Sequence, residues 1–139
     1  MGHLILLADD DYEMRYAMSE TLKRCGYAVE IASGGDEAIR KFSSRKYDMV
    51  ITDVRMVNGD GVYVLKEIKK HSPDVPVVLM TAYGTIDHAV EAMKLGAFDY
   101  IIKPFSVDAL EQLVRRGIDT YAAGNKSVSD RRSASGIIT

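Results

Sequence analysis

One cysteine, Cys25, is too few for an internal disulfide and fits a reducing compartment. No apolar run approaches the roughly 20 residues that span a bilayer. The N-terminus lacks the basic segment, apolar stretch and cleavage site of a secretion signal. These absences point to a cytoplasmic protein without a membrane role. An excess of one charge is missing too: 18 basic residues face 20 acidic ones, for a formal net charge of -2. Bulk electrostatics therefore gives no case for direct nucleic-acid contact, and Arg131-Arg132 is too short a basic run to make one. His3, His71 and His88 are scattered without ligand spacing. No internal repeat is present.

What the chain does have is alternation. Its 139 residues suit one domain with one core. Leu4 to Ala8 is an unbroken apolar run, as expected of a strand covered on both faces. Met14, Ala17, Met18, Leu22 and Cys25 then recur at helical spacing, and Gly26 follows as a stop. A second, peripheral strand falls at 28–31, and Ala38, Ile39 and Phe42 mark a second helix. A third strand covers 49–53. Val62, Leu65 and Ile68 share one face of a third helix, which ends before Pro73. A fourth strand covers 75–81. Ile86, Ala89, Val90 and Met93 form a fourth helical stripe closed by Gly96. A fifth strand covers 99–102, and a fifth helix from Val107 fades near Gly124. Five βα units imply a doubly wound α/β fold with a parallel sheet, helices on both faces and right-handed crossovers. The reading divides the chain into a domain at 1–123 and a flexible linker or tail at 124–139, rich in serine and charge.

Polar residues stand where four of these apolar runs end. The first runs into Asp9-Asp10-Asp11, the third ends at Asp53, the fourth at Thr81, and the fifth reaches Lys103-Pro104. In a parallel sheet all strand carboxyl ends lie on one edge, so these residues can converge. The set suits a magnesium-assisted phosphoryl transfer to a carboxylate. Asp53 is the candidate acceptor: an ionised carboxylate attacks without a general base, and its obstacle is repulsion from the incoming phosphoryl dianion. Alone, such an Asp would be an ordinary cap or turn residue. Asp9 and Asp10 are candidate metal carboxylates. Asp11 fits a helix N-cap well, and three adjacent acids without a cation would repel. Lys103 is the candidate counter-charge for Asp53 and then for the phosphoryl group. Thr81 offers a hydroxyl donor beside the small Ala82; a β-branched residue ending a strand is also common. Cys25, on a core stripe, reads as inert packing.

Together these residues resemble the receiver domain of two-component response regulators. The resemblance covers about residues 4–122. It rests on Ala8-Asp9-Asp10-Asp11, Thr52-Asp53-Val54-Arg55-Met56 with Gly61 beyond, Met80-Thr81-Ala82, and Lys103-Pro104-Phe105. It implies a flavodoxin-like (βα)5 sheet in the order 2-1-3-4-5 and phosphorylation of Asp53 by a sensor histidine kinase. It also implies Mg2+ held directly by Asp10, through water by Asp9, and by Asp53 and the Arg55 carbonyl. In the family the Lys-Pro bond is cis and aims the lysine into the site. Thr81 and Tyr100 become a switch pair, and Arg55 and Tyr83 occupy positions that tune hydrolysis of the acyl phosphate. Met80 to Gly84 and Gly96 to Tyr100 look most like receivers of sigma-54-dependent transcription activators, in which an AAA+ ATPase and a DNA-binding helix-turn-helix follow. Such an output domain would have been removed from this chain, with Gly136 to Thr139 as its first residues, unless the receiver stands alone. A homodimer through helix 4, strand 5 and helix 5 is a further partner considered. One departure is Val57, where the family usually has proline.

Competing readings lack their residues. An aspartyl-phosphate phosphatase needs an acid two residues after its nucleophile, where this chain has Arg55. A flavin carrier needs a phosphate loop rich in Ser, Thr and Gly after strand 1, and Asp9-Asp10-Asp11 would repel the flavin phosphate. A protein-interaction module without phosphorylation would not need the complete set of acids, threonine and lysine.

Overall fold

The computed structural model describes residues 2–56, 58–82, 84 and 86–133, with side chains to residue 124. Strands and helices alternate: β1 Leu4–Ala8, α1 Tyr12–Arg24, β2 Ala28–Ala32, α2 Gly35–Ser44, β3 Met49–Asp53, α3 Gly61–His71, β4 Val77–Thr81, α4 Ile86–Lys94, β5 Asp99–Ile102 and α5 Val107–Ser133. The strands are parallel, in the order β2-β1-β3-β4-β5. This is the doubly wound order expected from the alternation. The chain reverses its direction of winding between β1 and β3, where ligands of such sheets bind.

Strand periodicity divides the core. Leu6, Val50 and Leu79 point to one face and pack with Ala38, Leu65 and Ala92 from α2, α3 and α4. Their strand neighbours Ile5, Leu7, Met49, Ile51, Val78 and Met80 point to the other face and pack with residues of α1 and α5. Both faces are covered, which is why the central strands are apolar throughout. Truncating a buried leucine such as Leu65 would cost about 2–5 kcal/mol.

Several details differ from the sequence reading: β2, for one, runs to Ala32 rather than ending at Ile31. β4 begins at Val77 rather than Val75, since Pro76 has no N–H for the ladder. On α1 the buried residues are Met18, Ser19 and Leu22. Ala17 is exposed and Cys25 half-buried at the helix end. α5 continues past Gly124 to Ser133. A glycine inside a helix costs only about 1 kcal/mol, and no proline follows to end it.

The stripe on α4 faces outward. Ile86 is 81% exposed, Val90 47% and Met93 48%, and only Ala92 of this helix is buried. Helical period identified the stripe but could not tell a core face from a face left open. Ile102 at the end of β5 and Val107 at the start of α5 are exposed as well.

Candidate functional site

The carboxyl ends of β1, β3, β4 and β5 gather the polar residues on one edge. Asp9 follows β1 directly and is fully buried. Its backbone N–H donates to the Ala32 carbonyl at 3.1 Å, which carries the β1–β2 ladder one residue further. Asp9 Oδ1 accepts the Asp11 N–H at 2.9 Å, and Oδ2 accepts Lys103 Nζ at 2.9 Å. Asp53 ends β3, and its Oδ2 accepts from the same ammonium at 3.1 Å. Lys103 and Asp53 side chains are each 13% exposed, so this bridge lies largely out of water. The Lys103–Pro104 peptide is cis.

Two carboxylates thus share one ammonium. Burial alone would lower the Lys103 pKa, but the hydrogen bonds and charges of Asp9 and Asp53 outweigh it and hold the ammonium above its ordinary value. Burial pushes the Asp53 carboxyl up; Lys103 opposes that rise without cancelling it, and Asp9 adds to it. The cluster is therefore short of positive charge. Exposed Asp10 adds a third acid, and Asp9, Asp10 and Asp53 each bring one oxygen within 4.8 Å of the others. These hard oxygen donors could hold a small divalent cation.

Asp11 stands apart from this cluster as the α1 N-cap. Its Oδ1 accepts the N–H groups of Glu13 and Met14 at 3.0 and 3.2 Å. Asp11→Ala should therefore cost about 1 kcal/mol of stability in urea unfolding. If this acidic cluster holds Mg2+, Asp10→Ala should weaken its binding more than Asp11→Ala in a calorimetric titration. The reverse order would shift the assignment of the acidic run by one residue.

Thr81, 4% exposed, ends β4, and its carbonyl accepts the Lys103 N–H at 2.7 Å. Asp53, Arg55, Thr81, Ala82 and Lys103 enclose a small cavity of about 70 Å³. A larger one, about 310 Å³, lies between α3 and α4 and shares Arg55 and Thr81 with the first. Thr81 and Tyr100 both line it, with Leu79, Val62 and Leu95. The structure thus brings Asp9, Asp10, Asp53, Thr81 and Lys103 together; Arg55 lines both cavities, and Tyr100 lines the larger one with Thr81. Tyr83 and Val57 lie outside the described residues, as do Gly136 to Thr139.

Two further residues support the site, the first without any signal in the sequence. Arg15 Nη1 donates to the Asp9 carbonyl at 2.7 Å, an arrangement that needs α1 to be folded beside β1. Gly61 has no Cβ because one would overlap the Asp53 carbonyl.

Comparison with known proteins follows the same lines. The response regulator receiver domain profile matches residues 5–115. The transcriptional regulatory protein ZraR of Klebsiella oxytoca is 44% identical over 107 residues, 77% of this chain and 24% of that protein. The DNA-binding transcriptional regulator NtrC of Salmonella typhimurium is 36% identical over 118 residues, 85% of this chain and 25% of that protein. This chain spans about a quarter of the length of these curated relatives. A crystal structure of a receiver domain protein from Clostridium thermocellum superposes with a TM-score of 0.80 at 34% identity, covering 84% of this chain and 94% of that one.

Proposed function

We propose, because this chain belongs to the response regulator receiver domain family, that Asp53 accepts a phosphoryl group from a histidine of a sensor kinase and that the new charge switches the domain between two conformations. The observation that carries this reading is the Lys103 ammonium bridging buried Asp9 and half-buried Asp53, with Lys103 and Asp53 both lining the small cavity. The bond from an Asp53 oxygen to phosphorus forms as the donor's P–N bond breaks, and the imidazole keeps the electron pair. Lys103 lies where it can neutralise the phosphoryl oxygens, and Thr81 and Ala82 bound the space that receives them. Asp9, Asp10, Asp53 and the Arg55 carbonyl would hold Mg2+. Bound there, the ion would offset the repulsion between carboxylate and phosphoryl oxygens. Arg55 and Tyr83 would set how readily water reaches the acyl phosphate. Beyond accepting the phosphoryl group and slowly losing it, the domain is a switch rather than an enzyme. Borohydride reduction of the labelled protein, which converts an aspartyl phosphate to homoserine, should alter position 53 alone; alteration elsewhere would contradict the assignment.

The charge acts through contacts that differ between the two states. Thr81 shares a wall of the larger cavity with Tyr100, so a shift of Thr81 toward the phosphoryl group would open room for the Tyr100 ring. α4 would then repack. Thr81→Ala should still be phosphorylated on Asp53 but lose most of the amide shifts in α4 and β5 that beryllium fluoride induces. Shifts as large as in wild type would show that the coupling runs elsewhere.

The exposed Ile86, Val90, Met93, Ile102 and Val107 support α4, β5 and α5 as the face read by a second copy or by an output domain. Similarity to ZraR and NtrC favours a cytoplasmic, sigma-54-type transcription regulator with an AAA+ ATPase and a DNA-binding domain as output. Residues 1–123 are then the receiver and 124–139 the connection. Among the described residues no helix is long and apolar enough to cross a membrane.

A further inference from the structure

The first turn of α2 and the loop between β3 and α3 are built into each other. α2 starts at Gly35, and its N-cap Gly34 has no side chain to receive the free N–H groups of the first turn. The loop supplies an acceptor instead: Asp36 N–H donates to the Asn58 carbonyl at 2.8 Å. Asn58 and the next residue, Gly59, both have left-handed backbones, at φ 57° and 98°. Gly59 then lies directly on Gly35. A Cβ at Gly35 would overlap the Gly59 carbonyl and come within 2.8 Å of its Cα.

The other end of the loop is closed with equal tightness. Gly61 N–H donates to the Val54 carbonyl at 2.8 Å, and Val54 N–H donates to the Met80 carbonyl at 2.8 Å. A Cβ at Gly61 would overlap the Asp53 carbonyl. Arg55 lies between these two anchorages, one residue beyond Val54 and three before Asn58. Both anchorages restrain the segment that carries its carbonyl.

We infer that Gly35 is a positioning residue for the metal side of the acceptor site: by letting α2 seat against Gly59 it fixes the loop that presents the Arg55 carbonyl. The inference rests on the proposed Mg2+ site. Gly35 touches none of the ligands and acts only through the loop. Changes to groups that orient ligands typically weaken metal binding by about 10–100-fold. Gly35→Ala displaces Gly59 backbone, which cannot swing aside as a side chain can. Asn58→Val strains the same loop from its exposed side, since a β-branched residue resists a left-handed φ.

The test measures Mg2+ dissociation constants by calorimetry on the whole chain, alongside urea unfolding. The control is Gly26→Ala. Gly26 also has a left-handed backbone, at φ 98°, with nothing within 4 Å of its Cβ position, and it lies at the far end of α1. It should lose stability without touching the loop. Wild type should bind Mg2+, and Gly35→Ala should bind on the order of tenfold more weakly. Asn58→Val should weaken binding in the same direction, and it decides the matter if Gly35→Ala does not fold. Gly26→Ala should stay within about twofold of wild type, inside the effect expected of a ligand-orienting group. Unchanged affinity in both loop variants overturns the inference while the metal site stands. Equal weakening in Gly26→Ala overturns it too, because general destabilisation would then account for the loss. Failure of wild type to bind Mg2+ removes the metal site and the inference together.

Discussion

Lys103→Met should cost the metal-free domain about 3–5 kcal/mol in urea unfolding, the range for removing one partner of a buried ion pair. Methionine matches the length of the lysine stem, so the change removes charge more than volume. It leaves Asp9, fully buried, and Asp53, 13% exposed, facing each other without the ammonium they share. Mg2+ should then restore part of the loss, because any ligand that binds the folded state alone stabilises it by mass action. The restoration should be greater in Lys103→Met than the gain Mg2+ gives wild type. A variant as stable as wild type in EDTA would mean that the bridge contributes nothing to the resting fold.

Asp53→Asn should move stability the other way. Burial and the neighbouring Asp9 hold the Asp53 carboxyl above its ordinary pKa despite Lys103. A carboxyl whose folded pKa lies above its unfolded one binds protons more readily in the folded state. Its charged form therefore disfavours folding at pH values above both pKa values. That cost falls as pH drops through the folded pKa and is gone below the unfolded one. Asn carries no charge at any of these pH values. The variant should therefore melt higher than wild type at pH 7 in EDTA, and the difference should shrink on acidification toward pH 4. Mg2+ should stabilise it less than wild type, since one of the proposed ligand carboxylates is missing. A lower melting temperature at pH 7 would show that pairing with Lys103 outweighs the burial of Asp53.

The fold was legible because its signals are redundant. Unbroken apolar runs such as Leu4 to Ala8 mark strands covered on both faces, and helical stripes between them leave a parallel sheet as the consistent arrangement. The candidate site was legible for a related reason: a parallel sheet brings all strand carboxyl ends to one edge, so the sequence alone groups Asp9, Asp53, Thr81 and Lys103. Period did not reveal which way a stripe points. Ile86, Val90 and Met93 recur as a core face would, yet they face outward. Contacts between distant segments were equally hidden. The Arg15 bond to the Asp9 carbonyl and the seat of Gly35 on Gly59 exist only once α1, α2 and the β3–α3 loop are in place. A glycine opening a helix is an unremarkable residue in a sequence, and only the folded chain shows what its missing side chain leaves room for.

The central claim is that Asp53 is the phosphoryl acceptor. Intact-mass spectrometry after incubation with acetyl phosphate tests it most directly, with Mg2+ or with EDTA, on wild type and Asp53→Asn. Wild type with Mg2+ should gain the mass of one phosphoryl group and lose it in hydroxylamine. Wild type in EDTA and Asp53→Asn in either condition should remain unlabelled. Labelling of Asp53→Asn to the same extent as wild type would contradict the account.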